Sequence, residues 1–447
     1  MKQLENILGW VSDFYCTISD TNIAFPGVLM RTGKKVTLQG RINLDDSRKM
    51  DYYSPIKIWG NVCGLPLILL DTYLENAQYV GGEQFGLLTF SPSEIIIGVD
   101  THSTVTVTHI SMSIPGLNYM FSSSPLESTS NISREHPSVL NFTFPEEIIA
   151  DDKYGQLKIY QTFGRSWNRN EIIHEITPII EYQFHHPVEI MNAVERMATA
   201  RNLFSFFANH YLPLGTFSFS NEHSQDAEDI IYNDCVLFLN HKEDISPPQE
   251  PFFVTTSEFS KDFSGIWENW LKLYEEAMYI PTLFYEIICN RSTRINRFLN
   301  LSQAIEVYSR KYRQEALKKV AQMREKTKEG RTPPVHLNHR FEDIFILLTS
   351  CIGIEADKFP ILAKALADMR NFYTHYDDQK CPVEPSYQDI FAACHILEFV
   401  LLAVVYHTIG ISDQHIDSCR GRVQFQRFNE DVQTLIEYSS KRNAKPF

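Results

Sequence analysis

Two hydrophobic rhythms divide this chain. Up to about Phe184, apolar and polar residues alternate with a period of two, as in half-buried strands. Lys35-Val36-Thr37-Leu38-Gln39-Gly40-Arg41-Ile42 shows this clearly, and Thr104-Val105-Thr106-Val107-Thr108 continues into His109-Ile110. Glu94–Val99, Gln156–Tyr160 and Ile179–Phe184 add β-rich runs, with turn residues between them. The pattern predicts an antiparallel sandwich or barrel-like domain. A Ser-rich stretch from Phe121 to Arg134 reads as an exposed loop.

From Pro187 the period lengthens. Ile190, Val194, Met197, Ala198, Leu203 and Phe206 predict a helix to about His210, followed by short β returns at Thr216–Ser220 and Cys235–Asn240. Asp244–Pro251 holds three prolines and little to bury, so it reads as a linker. Beyond Ser257 the pattern predicts helices over about 257–277, 279–290, 294–328 with a break near Tyr312, 336–352, 356–376, 387–409 and 421–440. An α+β chain follows, with a β-rich N-terminal domain over 1–245 and an all-α C-terminal bundle over 255–447.

Composition narrows the class. With 447 residues, 43% hydrophobic and 21% charged, the chain reads as a soluble globular protein of at least two domains. The start, Met-Lys-Gln-Leu-Glu-Asn-Ile-Leu, lacks the apolar run of a secretory signal. Ile396–Tyr406 is the most apolar stretch and reads as a buried helix too short to span a bilayer. A cytoplasmic protein with no membrane partner is the simplest expectation. The eight cysteines are scattered with no C-x-x-C spacing, which predicts reduced thiols and neither a zinc site nor a disulfide scaffold.

Charge changes the picture further. The formal net charge is -14, but Asn290–Phe447 carries 23 basic and 19 acidic residues, which leaves the acid in the N-terminal part. Asn290–Pro333 alone holds 12 Lys and Arg against 4 Asp and Glu. Lys318, Lys319, Arg324 and Lys326 in that stretch are candidate RNA-backbone contacts, set against the plainer reading of a solvated helix face.

The candidate chemistry lies in Ala-Asp-Met-Arg-Asn-Phe-Tyr-Thr-His-Tyr-Asp, which places Arg370, Asn371 and His375 within six residues. On a helix stepping about 100° per residue, Leu362, Leu366, Met369, Tyr373 and Tyr376 fall within roughly 80° and form a core stripe. Asn371 and His375, four apart, share the opposite face, with Arg370 on the flank. Histidine shuttles protons near neutral pH, and arginine offers a permanent planar cation to phosphate. Glu306 has two readings, one that brings it to the site and a plainer one as a surface or packing residue. His336-x-x-His339 has metal-ligand spacing on a helix but no acidic partner in the H-E-x-x-H sense, and His185-His186 reads as structural. No phosphate loop or Gly-x-Ser-x-Gly elbow is present, so neither ATP hydrolysis nor α/β-hydrolase chemistry is supported.

Arg370-Asn371-x-x-x-His375 in a C-terminal helical bundle resembles the R-x4–6-H motif of HEPN domains. Arg297-Phe298-Leu299-Asn300-Leu301-Ser302-Gln303-Ala304-Ile305-Glu306 resembles the first bundle helix of the ApeA-like branch. The acidic β-rich front resembles the N-terminal domain of ApeA anti-phage proteins. The resemblance implies a metal-independent endoribonuclease without cofactor, acting on RNA such as tRNA or another structured RNA, at a site shared by a homodimer. It implies proton transfer by His375, phosphate contact by Arg370 and orientation by Asn371. The front domain would sense a phage-derived trigger, position the substrate or restrain the nuclease. The alternative is a non-catalytic HEPN-like module that holds a partner protein or nucleotide on the same polar face.

Overall fold

The computed structural model describes residues 2–443 apart from 19–20, 34, 49, 51–53, 80–83, 100–104, 123–125, 129–139, 143, 168–171, 215, 222–231, 240–247, 249–250, 289–291, 325–332 and 376–383. Two compact units comprise Met1–Tyr119, Ser123–Arg201 and Leu212–Gln249, and Met120–Ser122, Asn202–Tyr211 and Glu250–Phe447. Most of the proposed linker Asp244–Pro251 lies outside the described residues.

In the first unit, α1 (Lys2–Ile7) precedes β1 (Val11–Ile18), β2 (Thr21–Thr32) and β3 (Lys35–Asn43). A single turn, α2 (Leu44–Ser47), leads to β4 (Ile56–Val62), β5 (Leu65–Tyr79) and β6 (Phe85–Ser91). β5 pairs antiparallel with β4 up to Thr72 and with β6 from Tyr73 onward. Asp71, at φ 42°, sits at the changeover. The ladder β5-β4-β1-β2-β3-β6 therefore closes on itself as a six-stranded barrel.

The period-two pattern fills that barrel. Val36, Leu38 and Ile42 of β3 are buried, with their polar neighbours facing out. Phe14, Phe25 and Phe90 stack across the interior, with ring centroids 6.2 and 5.9 Å apart. The packed rings leave little space at the β2–β3 seam, where glycines stand on both strands. Gly27 faces Gly40 in the register, and a Cβ on Gly40 would approach the Phe25 ring to 2.6 Å.

An open extension grows from the same sheet. β7 (Glu94–Ile97) pairs with the first half of β5, and the order continues through seven strands. These include β8 (Thr106–Met112), β11 (Ile148–Asp151), β12 (Gly155–Trp167), β13 (Ile172–Glu189), β14 (Phe217–Asn221) and β15 (Tyr232–Leu239). Their order is β7-β15-β14-β8-β13-β12-β11. β9 (Leu126–Ser128) and β10 (Leu140–Phe142) form a separate hairpin. The Ser-rich stretch is thus not wholly loop, because β9 lies inside it.

The long helix α3 (Ile190–Ala208) follows β13. Its residues from Asn202 belong to the second unit, where Phe206 stacks on Phe284 with centroids 3.8 Å apart. That unit is built of helices, with no strand among its described residues. After the short α4 (Thr256–Phe259) come α5 (Phe263–Ala277), α6 (Tyr279–Ile288), α7 (Arg294–Tyr312) and α8 (Gln314–Arg324). Then follow α9 (Leu337–Leu347), α10 (Phe359–His375), α11 (Tyr387–Ile409), α12 (Asp413–Cys419) and α13 (Phe428–Asn443).

The apolar α11 is the axis of this unit. Ser386 and Asp389 form a capping box at its start. Gly410, at φ 100°, ends it, its N–H donating to the Tyr406 carbonyl at 3.1 Å. By length and composition α11 could cross a membrane, but 78% of its apolar window is buried inside the protein, as in the core helix of a bundle. Here the helix outruns the Ile396–Tyr406 stretch, because less apolar turns at each end also pack. The expected helix over 421–440 begins only at Phe428, with a 3₁₀ turn at Val423–Phe425 before it.

Candidate functional site

α10 carries the Arg-Asn-x-x-x-His sequence at its C-terminal end. Leu362, Leu366 and Met369 are fully buried, as the wheel requires, and Tyr373 is half-buried. Tyr376 lies outside the described residues. Ile361, Lys364, Asp368 and Asn371 form a contrasting stripe that is exposed or half-buried. His375, the last residue of the helix, continues that stripe by position, and its side chain lies outside what the structure describes. A second tolerance for packing appears on the flanks, where Ala363, Ala365 and Ala367 are also buried.

Arg370 is held from another helix. Its guanidinium donates to Glu306 of α7 at 3.5 Å, with Arg370 29% and Glu306 14% exposed. Glu306 also pairs with Arg310, one turn on in α7. Arg340 of α9 belongs to the same neighbourhood. Burial pushes its guanidinium below the usual value, Arg310 adds to that shift and Glu306 opposes it. Two guanidiniums thus pair with one carboxylate and a third lies within its electrostatic reach, which leaves local positive charge available to an anion. The spacing along α7 explains the geometry. Phe298, Leu301, Ile305 and Tyr308 face the core, which leaves Glu306 at the margin.

The basic stretch is more mixed than its sequence suggests. Lys318 and Lys319 are exposed, and Lys318 pairs with Glu315 at 2.7 Å on the same helix. Arg324 donates from Nε to Glu342 at 2.8 Å, and the Glu342 side chain is 2% exposed. Arg313 forms a two-pronged pair with the buried Asp343, at 2.9 and 3.0 Å. Two of the basic residues therefore neutralise buried acids of α9. Lys326 lies outside the described residues.

The remaining candidates have structural roles. His339 is buried, and its Nδ1 accepts from the backbone N–H of His336 at 3.2 Å, which caps the start of α9. No cluster of three metal-ligating side chains occurs among the described residues. His185 and His186 lie in β13, where the His185 N–H donates to the Tyr154 carbonyl at 2.9 Å. Burial pushes the Cys16 and Cys351 thiols up to about 11, and those of Cys394 and Cys419 up to about 12, so none of them is a ready nucleophile.

Two known families match this arrangement. The ApeA N-terminal domain 1 family matches residues 9–270, more than half of the chain. The Apea-like HEPN family matches residues 299–415, which include Glu306, Arg340, Arg370 and His375. The chain belongs to the ApeA-like HEPN anti-phage family. No curated protein and no solved structure matches it. The N-terminal match covers the β-rich first unit and runs on through α4 into α5, and the HEPN match lies in the helical second unit, from α7 to α12. Glu306 reaches Arg370, the less favoured of the two sequence readings; its place on the first bundle helix was the signal for it.

Proposed function

We propose that this ApeA-like chain is a metal-independent endoribonuclease of anti-phage defence, with Arg370, Asn371 and His375 as its motif. The observation that carries this reading is the Arg370–Glu306 pair within the HEPN segment. It fixes a guanidinium beside a polar stripe that ends in a histidine.

The residues supply the chemistry. A ribose 2′-hydroxyl attacks the adjacent phosphorus, the P–O5′ bond breaks, and a cyclic phosphate and a 5′-hydroxyl are left. His375 moves the proton, which contributes about 10²–10⁴-fold. Arg370 faces the phosphorane oxygens and stabilises their charge by a few kcal/mol. Asn371, one turn before His375, orients the imidazole or the phosphate. DNA lacks the attacking hydroxyl, so the substrate is RNA. The exposed Lys318 and Lys319, with Lys326, extend the contact along the RNA backbone, whereas Arg324 is committed to Glu342. Two copies meet through the outward stripe of α10 so that a pair of motifs shares one cleft. The first unit receives a phage-derived trigger.

Purified protein, alone and with lysate of phage-infected cells, is incubated with total RNA in EDTA. Cleavage is expected in at least one condition, and His375→Ala abolishes it with unchanged melting behaviour. Cleavage that needs a divalent ion, or that persists in His375→Ala, overturns the mechanism.

A further inference from the structure

The second unit contains a cavity of about 490 Å³, apart from the Arg370 motif. That volume lies in the range of small-molecule sites, roughly 300–1,000 Å³. Its lining mixes polar and apolar side chains, with two arginines against one carboxylate. Arg294 and Arg297 of α7, His395 and Glu398 of α11, and Asn209 after α3 contribute, with Phe391 as an apolar wall.

The charges do not cancel. Arg297 donates to Glu398 at 2.6 Å, which accounts for the one carboxylate on the wall. Arg294 lies over the rings of Tyr387 and Phe391, at 4.1 and 5.1 Å from their centroids, and has no ion-pair partner among the described residues. His395 Nδ1 contacts Asp431 at 2.5 Å, and its Nε2 contacts the Gln424 carbonyl. Burial disfavours a charged ring, but the bonds to Asp431 and Gln424 and the nearby Asp431 and Glu398 carboxylates outweigh it and raise the His395 pKa. Both ring nitrogens face acceptors, and any charge on the ring is balanced by Asp431, so Arg294 is the cation left without a counter-charge among the described residues.

Asn209 presents the opposite need. It is 8% exposed, and its Nδ2 donates to Gln424 at 2.7 Å and, at 3.5 Å, to Glu398. Its Oδ1 is buried and accepts no hydrogen bond among the described residues. An unpaired buried acceptor costs about 1–3 kcal/mol. The left-handed backbone there, at φ 45°, is one that asparagine readily adopts just past a helix end. A ligand that donates to Oδ1 would remove the cost of the unpaired acceptor.

We propose that this cavity binds a small phosphorylated ligand bearing hydroxyl or amino donors, its phosphate at Arg294 and its donors at Asn209. Nucleoside monophosphates and sugar phosphates share that chemistry. The site is separate from the proposed RNA-cleaving motif, and binding is read without any cleavage assay, so the two ideas fail independently.

Isothermal titration of the purified full-length protein with inorganic phosphate, ribose 5-phosphate and adenosine 5′-monophosphate tests it. At least one organic phosphate is expected to bind about tenfold or more tightly than inorganic phosphate, and the tighter one identifies the source. Arg294→Ala, at an exposed position, should weaken that binding by about 10–100-fold, as loss of a charge-assisted bond does, with the melting curve unchanged. The proposal is overturned if no probe binds saturably, if inorganic phosphate binds as tightly as both organic phosphates, or if Arg294→Ala binds like the wild type.

Discussion

Glu306 on α7 and Arg370 on α10, 64 residues apart in sequence, are joined by a 3.5 Å contact. A long flexible cation is thereby given one direction before any substrate arrives. Such preorganisation lowers the cost of meeting a phosphate in the transition state.

Removing the carboxylate should therefore disturb turnover more than folding. Glu306→Gln keeps the volume and drops the charge. RNA cleavage is expected to lose about 10–100-fold in kcat with KM changed less than threefold, because the arginine remains but is no longer aimed. Single-turnover kinetics and a melting curve check this together. A kcat equal to wild type would show that Arg370 needs no partner.

Arg370→Lys separates charge from shape. Lysine keeps the cation but cannot offer two parallel donors to a phosphate. Cleavage by Arg370→Lys should fall nearly as far as by Arg370→Ala, on the order of 10²-fold or more. Recovery of more than half the wild-type rate by lysine would mean that a point charge is enough.

How much of this was legible in the residues varies with the range of the interaction. α11 was bounded at Tyr387 and Ile409 because its apolar run, its Ser386 start and its Gly410 stop are all local. The break near Tyr312 appeared because polar residues interrupt the α7 stripe, and α8 does begin at Gln314. α12 was missed, since Asp413–Cys419 is short and polar and is held by its Ser412 cap. Alternation marked strands but could not reveal that β5 bends at Asp71 to close a barrel with β6. The motif spacing was equally readable, whereas the Glu306 contact needed two helices to be brought together. The basic stretch misled in one respect, because the acids that serve Arg313 and Arg324 lie on a different helix.

That last pairing is a matter of stability. Asp343 is 1% exposed in its side chain, and Arg313 is its two-pronged partner. Arg313→Ala would leave a buried carboxylate uncompensated. The second unit should lose about 2–4 kcal/mol, less than for a wholly buried pair because Arg313 is partly exposed. The double variant Arg313→Met with Asp343→Leu should recover much of that loss. Urea unfolding followed at Trp267 and Trp270, both buried in this unit, provides the measurement. An unchanged midpoint in Arg313→Ala would show that water already solvates Asp343.

Glu94 of β7 gives the first unit a pH dependence of opposite origin. Burial, with the nearby Asp71 carboxylate, pushes its pKa from 4.5 up to about 7, and its Oε2 has no hydrogen-bond partner among the described residues. The folded chain therefore holds a proton that the unfolded chain releases between about pH 4.5 and 7. Stability must fall as pH rises through that window, and the full penalty applies above it. It is on the order of 3 kcal/mol: about 1.4 kcal/mol for each unit of pKa, reduced somewhat because Glu94 is only partly buried. Glu94→Gln keeps a neutral group of the same shape at every pH. It should match the wild type near pH 4.5 and be more stable near pH 8, with a flatter profile between them. Calorimetric melts across that range decide the point. A glutamine variant whose stability falls with pH as steeply as the wild type would place the ionising group elsewhere in the sheet.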